Sequence, residues 1–510
     1  MSSEKPSIAN ILVPIARRMF TFVADIDGTV YGVRRDGPPI AIPLRGTGPN
    51  SIGSVRQTII REYYREHGEV PGQGGIADAV AMIEALAEDA ERTRLHLRVA
   101  PDPAGDGTWI DLGDATGRAI HITPGGWEVT LPEQPLFRRT KLIGPLPEPV
   151  RDPSGWQPGI DRFLELLNVS QETWPLAVGW LLAAMQAGVP APILFLTGFQ
   201  GSGKTSGCKL LISLIDPGPA PLRSVPRDEK DLAVGTAAGW VLGLDNISHI
   251  QDWLSDALCR IVTGDGFLAR SLYSDSEVSV LEFQRPIALT AIDAGALRGD
   301  LADRLLRVDL DRITDKGRRS ATELDREFAA AHPVILGGLC QLLAEVYTEL
   351  PAAREALVER PRMADFAELL AALDRVTGTS PLATYLDSQE DLSGDVVEGS
   401  QVLTALVKFL DSLDDRSWAG KPKDLFDQVT RHAYDNFQPE KHWPRTASVF
   451  SAAVKRGAPA LIKLGYQIDG VDRKTRVPGV NDGKPIRWWT LRAPQAEEEP
   501  EPPSQGEMEF

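Results

Sequence analysis

A multi-domain α/β fold around a parallel sheet is predicted by three features of this 510-residue chain. The first is Gly198-Phe199-Gln200-Gly201-Ser202-Gly203-Lys204-Thr205, a G-x-x-x-x-G-K-T loop. It stands between the apolar run 193–196 and a helical pattern through Cys208, Leu210, Leu211 and Leu214. The second is the alternation of short apolar strands with helices from 193 to 313, which implies a parallel sheet covered on both faces. The third is a pair of amphipathic helices, 425–433 and 447–464, followed by a strand–turn–strand pattern, the plan of a winged helix.

Taken in order, residues 1–150 predict a mixed α/β domain. Strands at 19–23 and 29–33 flank Asp27-Gly28, a hairpin signal. Helices follow at 55–66 and 76–92, then short strands at 96–99, 109–112 and 119–122 between Gly/Asp turns. Pro145-Leu146-Pro147-Glu148-Pro149 is a proline-rich linker and the expected boundary. Helices at 159–167 and 171–187 lead into the loop domain, 151–320. Residues 321–410 are a helical region, 411–492 the winged-helix domain, and 493–510 an acidic, proline-rich tail expected to be disordered. A second reading of the tail docks Phe510 on a basic groove.

Composition narrows the class. With 42% hydrophobic and 25% charged residues the chain is an ordinary soluble type, and no run reaches the roughly 18 apolar residues that span a bilayer. The N-terminus lacks the plan of a signal peptide. Cys208, Cys259 and Cys340 are too far apart to suggest a disulfide framework or zinc site, which fits a reducing cytoplasm. The net charge of −17 hides an asymmetry: 421–492 carries fourteen Lys and Arg against seven Asp and Glu. A basic module sits on an acidic body.

The loop implies a nucleotide triphosphate. Glycines let consecutive backbone N–H groups face phosphate oxygens, and the following helix adds its positive dipole end. Gly198, Gly201, Ser202, Gly203, Lys204, Thr205 and Ser206 form the expected cradle, with Lys204 reaching the β- and γ-phosphates and the Thr205 hydroxyl on Mg²⁺. The second Mg²⁺ ligand is Asp245, which ends the apolar run 240–244. Asn246 follows, an amide beside the expected metal ligand. An amide cannot take a proton, so either hydrolysis is slow or Asp252 or Asp256 substitutes. Thr290, on the strand 286–290, is placed to sense the γ-phosphate. Arg304, in Asp300-Leu301-Ala302-Asp303-Arg304, has the look of an arginine finger offered to a neighbouring subunit, with a surface salt bridge as the alternative.

From Gly198 to Leu310 the chain resembles the AAA+ ATPase of superfamily 3 helicases, in the branch of phage and mobile-element primase–helicases related to poxvirus ones. The carriers are the loop, Leu244-Asp245-Asn246, Thr263-Gly264-Asp265 with Arg270, and Asp300-Leu301 with Asp303-Arg304. Upstream, Gly125-Gly126-Trp127, Phe137-Arg138-Arg139 and Leu146-Pro147 look like the segment that precedes such ATPases. The resemblance implies ATP with Mg²⁺, DNA as partner, a ring of about six copies, and contact with other replication proteins. It departs at Asn246, at Thr290 in place of a sensor Asn, and at the acidic turn Ser274-Asp275-Ser276-Glu277, where a basic pore loop is usual.

In the basic module the second helix would enter a major groove, with Arg445, Lys455 and Arg456 on or beside it. Arg473, Lys474 and Arg476 lie on the expected wing, while Trp488-Trp489 anchors the last strand in the core. The alternative is a solvated basic face. One decoy is set aside: 22–29, Phe-Val-Ala-Asp-Ile-Asp-Gly-Thr, matches the nucleophile motif of haloacid dehalogenase phosphatases. Those enzymes need a helix next, whereas Val30-Tyr31-Gly32-Val33 continues as strand. The sequence therefore predicts an ATP-dependent DNA helicase of a phage or mobile element, with an ATP-gated DNA-binding scaffold as the alternative.

Overall fold

The computed structural model describes residues 6–45, 53–88, 92–265, 267–270, 278–281, 284–291, 298–314, 317–358, 360–436, 443–477 and 484–494. The acidic turn at Asp275 and Glu277 and the C-terminal tail lie outside these residues. Contacts divide the chain into two compact units, 1–294 with 304–386, and 295–303 with 387–510.

The first unit opens with helix Ile8–Met19 and the antiparallel pair Phe20–Ala24 and Val30–Arg34. The turn between the strands is closed by Gly28 at φ +85° and by the Thr29 N–H on Asp27 Oδ1 at 2.8 Å. This is the predicted hairpin. Asp25, the nucleophile of the decoy motif, is 5% exposed. It accepts the N–H groups of Ile26 and Leu95, with its pKa raised by burial. Helices Val55–His67 and Gln73–Glu88 close this layer through Leu12, Phe20, Ile59, Ile76 and Ile83.

A four-stranded antiparallel meander follows: Val99–Pro101, Thr108–Asp111, Ala119–Thr123 and Gly126–Thr130. Its first strand begins three residues later than the pattern suggests, because His96 instead bridges Phe137. The proline-rich segment after it is pinned rather than loose. Gly144 N–H donates to Pro217 O, Leu146 N–H to Leu112 O, and Val150 N–H to Pro333 O.

The central sheet has five parallel strands in the order Leu222–Arg223, Leu242–Ile247, Ile287–Ala291, Ile193–Gly198 and Leu305–Leu310. Helices Gln157–Leu166, Trp174–Ala184, Lys204–Ile215, Glu229–Ala238 and Asp252–Thr263 accompany it. The 36-residue helix Ala321–Ala356 starts at a capping box between Ser320 and Glu323 and continues through Pro333 and Pro351. It packs on Gln157–Leu166 and Ala364–Thr377. Gly337 and Gly338 permit this closeness: a Cβ on Gly337 would stand 1.8 Å from Val150 O, and one on Gly338 2.8 Å from the Gly159 Cα. This helix corrects the reading that nothing here is long and apolar enough to span a bilayer. It passes by length and composition, and 67% of its most apolar stretch is buried within the protein, as a core helix requires.

In the second unit, helices Gln401–Asp411, Pro422–Asn436 and Ala447–Lys463 pack together. A three-stranded antiparallel sheet, Ser417–Gly420, Trp489–Arg492 and Gln467–Asp469 in that order, completes it. Leu403, Leu406, Leu425, Val429, Phe450, Leu461 and Trp489 form its interior, and Trp489 is 0% exposed, the core anchor the sequence predicts. The short strand Ser417–Gly420 has no counterpart in the sequence pattern.

Candidate functional site

The glycine-rich loop joins strand Ile193–Gly198 to helix Lys204–Ile215. Two glycines are dictated by geometry. Gly203 caps the helix at φ +83°, a conformation that L side chains resist. A Cβ on Gly198 would come within 2.7 Å of Leu310 O and 2.8 Å of Ser202 Oγ. Lys204 Nζ turns back to the loop, donating to Gly198 O at 2.7 Å and Phe199 O at 3.1 Å. Ser202 Oγ is buried and, among the described residues, has no hydrogen-bond partner.

The strand order decides what faces the loop. Strand Ile287–Ala291 lies between the loop strand and strand Leu242–Ile247, so Thr290 reaches Asp245 from one side and Thr205 from the other. Thr205 Oγ1 donates to Asp245 Oδ1 at 3.0 Å, and Thr290 Oγ1 donates to the same oxygen. Thr290 Oγ1 in turn accepts the Asn246 N–H at 2.9 Å. Thr205 is exposed, Asp245 half-buried and Thr290 2% exposed, so the cluster runs from surface to core. Cys208, fully buried on the loop helix, has its thiol pKa raised by burial first and by Asp245 second.

Asn246 stands at φ +56° where the strand register shifts between Leu244 and Ile247. Asparagine tolerates that left-handed backbone better than most residues, which gives a local reason for an amide there. Its side chain is exposed, as are Asp252 and Asp256 on the helix that follows.

Beside the loop opens a cavity of about 500 Å³. Ser202, Gly203 and Ser206 line one side; Leu167, Asn168 and Ile313 line another. Sequence reasoning missed this second wall, since nothing in the spacing of 167–168 and 313 announces that they meet.

Arg304 is not brought to this cluster. Leu305 pairs with Ile193 and Leu310 with Gly198, so Arg304 immediately precedes its strand at the end remote from the loop, about 17 Å away at strand rise. It is 9% exposed, and its carbonyl accepts the Ile193 N–H.

In the second unit, Thr446 caps helix Ala447–Lys463 by accepting the Val449 N–H. Arg445 and Arg456 are exposed and Lys455 half-exposed; Lys455 and Arg456 share the outward face with Ser448, Val449 and Ala452. Arg473, Lys474 and Arg476 are exposed beside the bridge between Thr475 and Ile486. The two basic groups thus lie on one compact unit.

Three family models match the chain. Residues 160–395 match the actinomycete integrative conjugative element replication protein, 402–501 the C-terminal domain of these RepA proteins, and 9–89 the N-terminal domain of Reps-like proteins of the same elements. No curated protein matches significantly. Among solved structures, the apo C-terminal region (305–718) of NrS-1 is 11% identical, with a TM-score of 0.40 over 95% of this chain and 99% of that one. An SCCmec type IV Cch structure, described as an active helicase, is 13% identical, with a TM-score of 0.41 over 84% of this chain and 90% of its own. Along most of its length, the chain is therefore similar to replication proteins of mobile elements.

Proposed function

We propose that the protein is a DNA-dependent ATPase of mobile-element replication, a helicase of the superfamily 3 type with an AAA+ core and a winged-helix DNA-binding end. The observation that carries this is the Thr205–Asp245–Thr290 cluster directly below the glycine-rich loop. The loop N–H groups and Lys204 would hold the triphosphate, with Lys204 exchanging the carbonyls of Gly198 and Phe199 for phosphate oxygens. The cavity beside Ser206 is of the size a nucleoside needs. Thr205 and Asp245 present a hydroxyl and a carboxylate oxygen 3.0 Å apart, a hard-oxygen pair that fits Mg²⁺. Bound there, Mg²⁺ would supply charge neutralisation on the phosphates. Thr290 would fix the Asp245 carboxylate and hold the backbone of Asn246. The Asn246 amide can orient an attacking water, as glutamine does in GTPases, but cannot take its proton. Arg304 would serve a neighbouring copy in a ring of about six, as the family resemblance implies.

Arg445, Lys455 and Arg456 would contact duplex DNA from the helix, and Arg473, Lys474 and Arg476 from the wing. The second reading, an ATP-gated DNA-binding scaffold that loads other replication proteins, is favoured by the amide at 246. DNA-stimulated ATP turnover, abolished in Lys204→Ala, tests the choice. Wild-type protein that binds ATP and DNA without turnover would sink the motor and leave the scaffold.

A further inference from the structure

Residues 295–303 cluster with 387–510, although the chain on both sides of them belongs to the first unit. The described part is Arg298, the short helix Gly299–Ala302 and Asp303, with the helix lying against helix Ala447–Lys463. The fit is close: a Cβ on Gly299 would stand 3.2 Å from Arg456 O and 3.9 Å from Val396 Cγ1. Leu301 is 1% exposed and Ala302 3%. At the end of the contact Lys463 Nζ donates to Asp303 Oδ1 at 2.6 Å. The Asp303 side chain is 11% exposed and that of Lys463 35%, so the pair is shielded from solvent mainly on its carboxylate side.

This segment is the crossover between two strands. One carries Thr290; the other begins just after Arg304. The helix it lies against carries Lys455 and Arg456. Arg304 is 9% exposed, and a guanidinium that serves a neighbouring copy has to leave that cover.

We infer that Lys463 is a positioning residue, whose ion pair with Asp303 latches this crossover to the basic helix. Duplex DNA engaged by Lys455 and Arg456 then shifts Arg304 and sets the rate of ATP turnover. The inference rests on the ATPase and DNA-binding reading above and adds the route between the two activities. A helix held at its middle by DNA and at its C-terminal end by a short charged bond gives the crossover two arrangements that a ligand can bias.

The test uses the full-length chain with ATP, Mg²⁺ and a short blunt duplex. Turnover is measured with and without the duplex, and duplex affinity by fluorescence anisotropy. Lys463→Gln and Asp303→Asn should bind duplex within about twofold of wild type while the ratio of stimulated to unstimulated turnover falls to near one. Lys463→Arg should keep the stimulation, and the exchanged pair Lys463→Asp with Asp303→Lys should regain most of it. Circular dichroism separates misfolding from uncoupling, and Lys463→Arg carries the test if the neutral variants unfold. Full stimulation in Lys463→Gln overturns the inference alone, as does an exchanged pair that folds but stays uncoupled. A wild type whose turnover ignores DNA overturns the functional reading and the inference with it.

Discussion

Arg98, 0% exposed, donates from Nε to Asp216 Oδ1 at 3.2 Å, while Asp216 Oδ2 accepts the N–H groups of Trp240 and Val241 at 2.8 and 3.1 Å. Asp216 is the C-cap of the loop helix, and Trp240 and Val241 lead into strand Leu242–Ile247, which carries Asp245. One carboxylate therefore ties together the far ends of the elements whose near ends carry Lys204, Thr205 and Asp245. Arg98 spends its other nitrogens on Asp111 O and Gly144 O, which joins the meander to the central sheet.

Removing one member of that pair strands a buried charge. Asp216→Ala should lower unfolding stability by about 3–5 kcal/mol in urea melts, and Arg98→Met by a similar amount. The double apolar variant should cost less than either single. A loss below about 1 kcal/mol in Asp216→Ala would show that the charge finds water on opening.

The left-handed backbone at 246 suits aspartate nearly as well as asparagine. Asn246→Asp should therefore fold normally and, by supplying a proton acceptor, raise ATP turnover by about tenfold or more. Asn246→Val should be destabilised by about 1–2 kcal/mol. Unchanged turnover in the aspartate variant would move the base elsewhere, with Asp252 and Asp256 next in line.

Thr290→Val keeps the shape of a side chain that is 2% exposed but removes the hydroxyl shared by Asp245 and the Asn246 N–H. Turnover should fall about 10–100-fold, with Thr290→Ser recovering most of it. Equal loss in both variants would point to packing rather than to the hydroxyl.

His332, stacked on Phe328, holds Leu214 O at the end of the loop helix at 3.1 Å, and burial pushes its pKa down to about 4. The folded value lies below the unfolded one of about 6.5, so the neutral ring's contribution is complete above 6.5 and is lost as pH falls towards 4. The full loss is on the order of 3 kcal/mol. Urea midpoints at pH 7 and pH 5 should diverge less in His332→Gln than in wild type.

Replacing Arg473, Lys474 and Arg476 together with alanine should weaken duplex binding across all sequences. The slope of log affinity against log salt should become shallower by about 0.9 per lost phosphate contact. An unaltered slope would return this surface to a plain solvated face.

The sequence disclosed those parts whose chemistry is local. The loop, the hairpin at Asp27-Gly28 and helix 447–463 each rest on residues within a few positions of one another. What stayed hidden depends on long-range pairing. Strand Ser417–Gly420 is four residues without clear alternation, held by its register with Trp489–Arg492. The cavity wall at Asn168 and Ile313 exists because Asp311 N–H donates to Asn168 O across the fold. Pro333 and Pro351 in Ala321–Ala356 each remove a helical hydrogen bond, yet tertiary packing carries the helix through both.

The short stretch 295–303 has a consequence for inheritance. A unit that borrows nine residues from the middle of its neighbour's sequence cannot be exchanged whole by a single crossover near residue 387. A chimera joined there would pair a foreign basic helix with a native Gly299–Asp303, and it would work only where both parents keep a small residue at 299 and a matching charge at 303. If this helix contacts DNA as proposed, new specificities would arise by substitution on its outward face, with the face turned to Gly299 left in place.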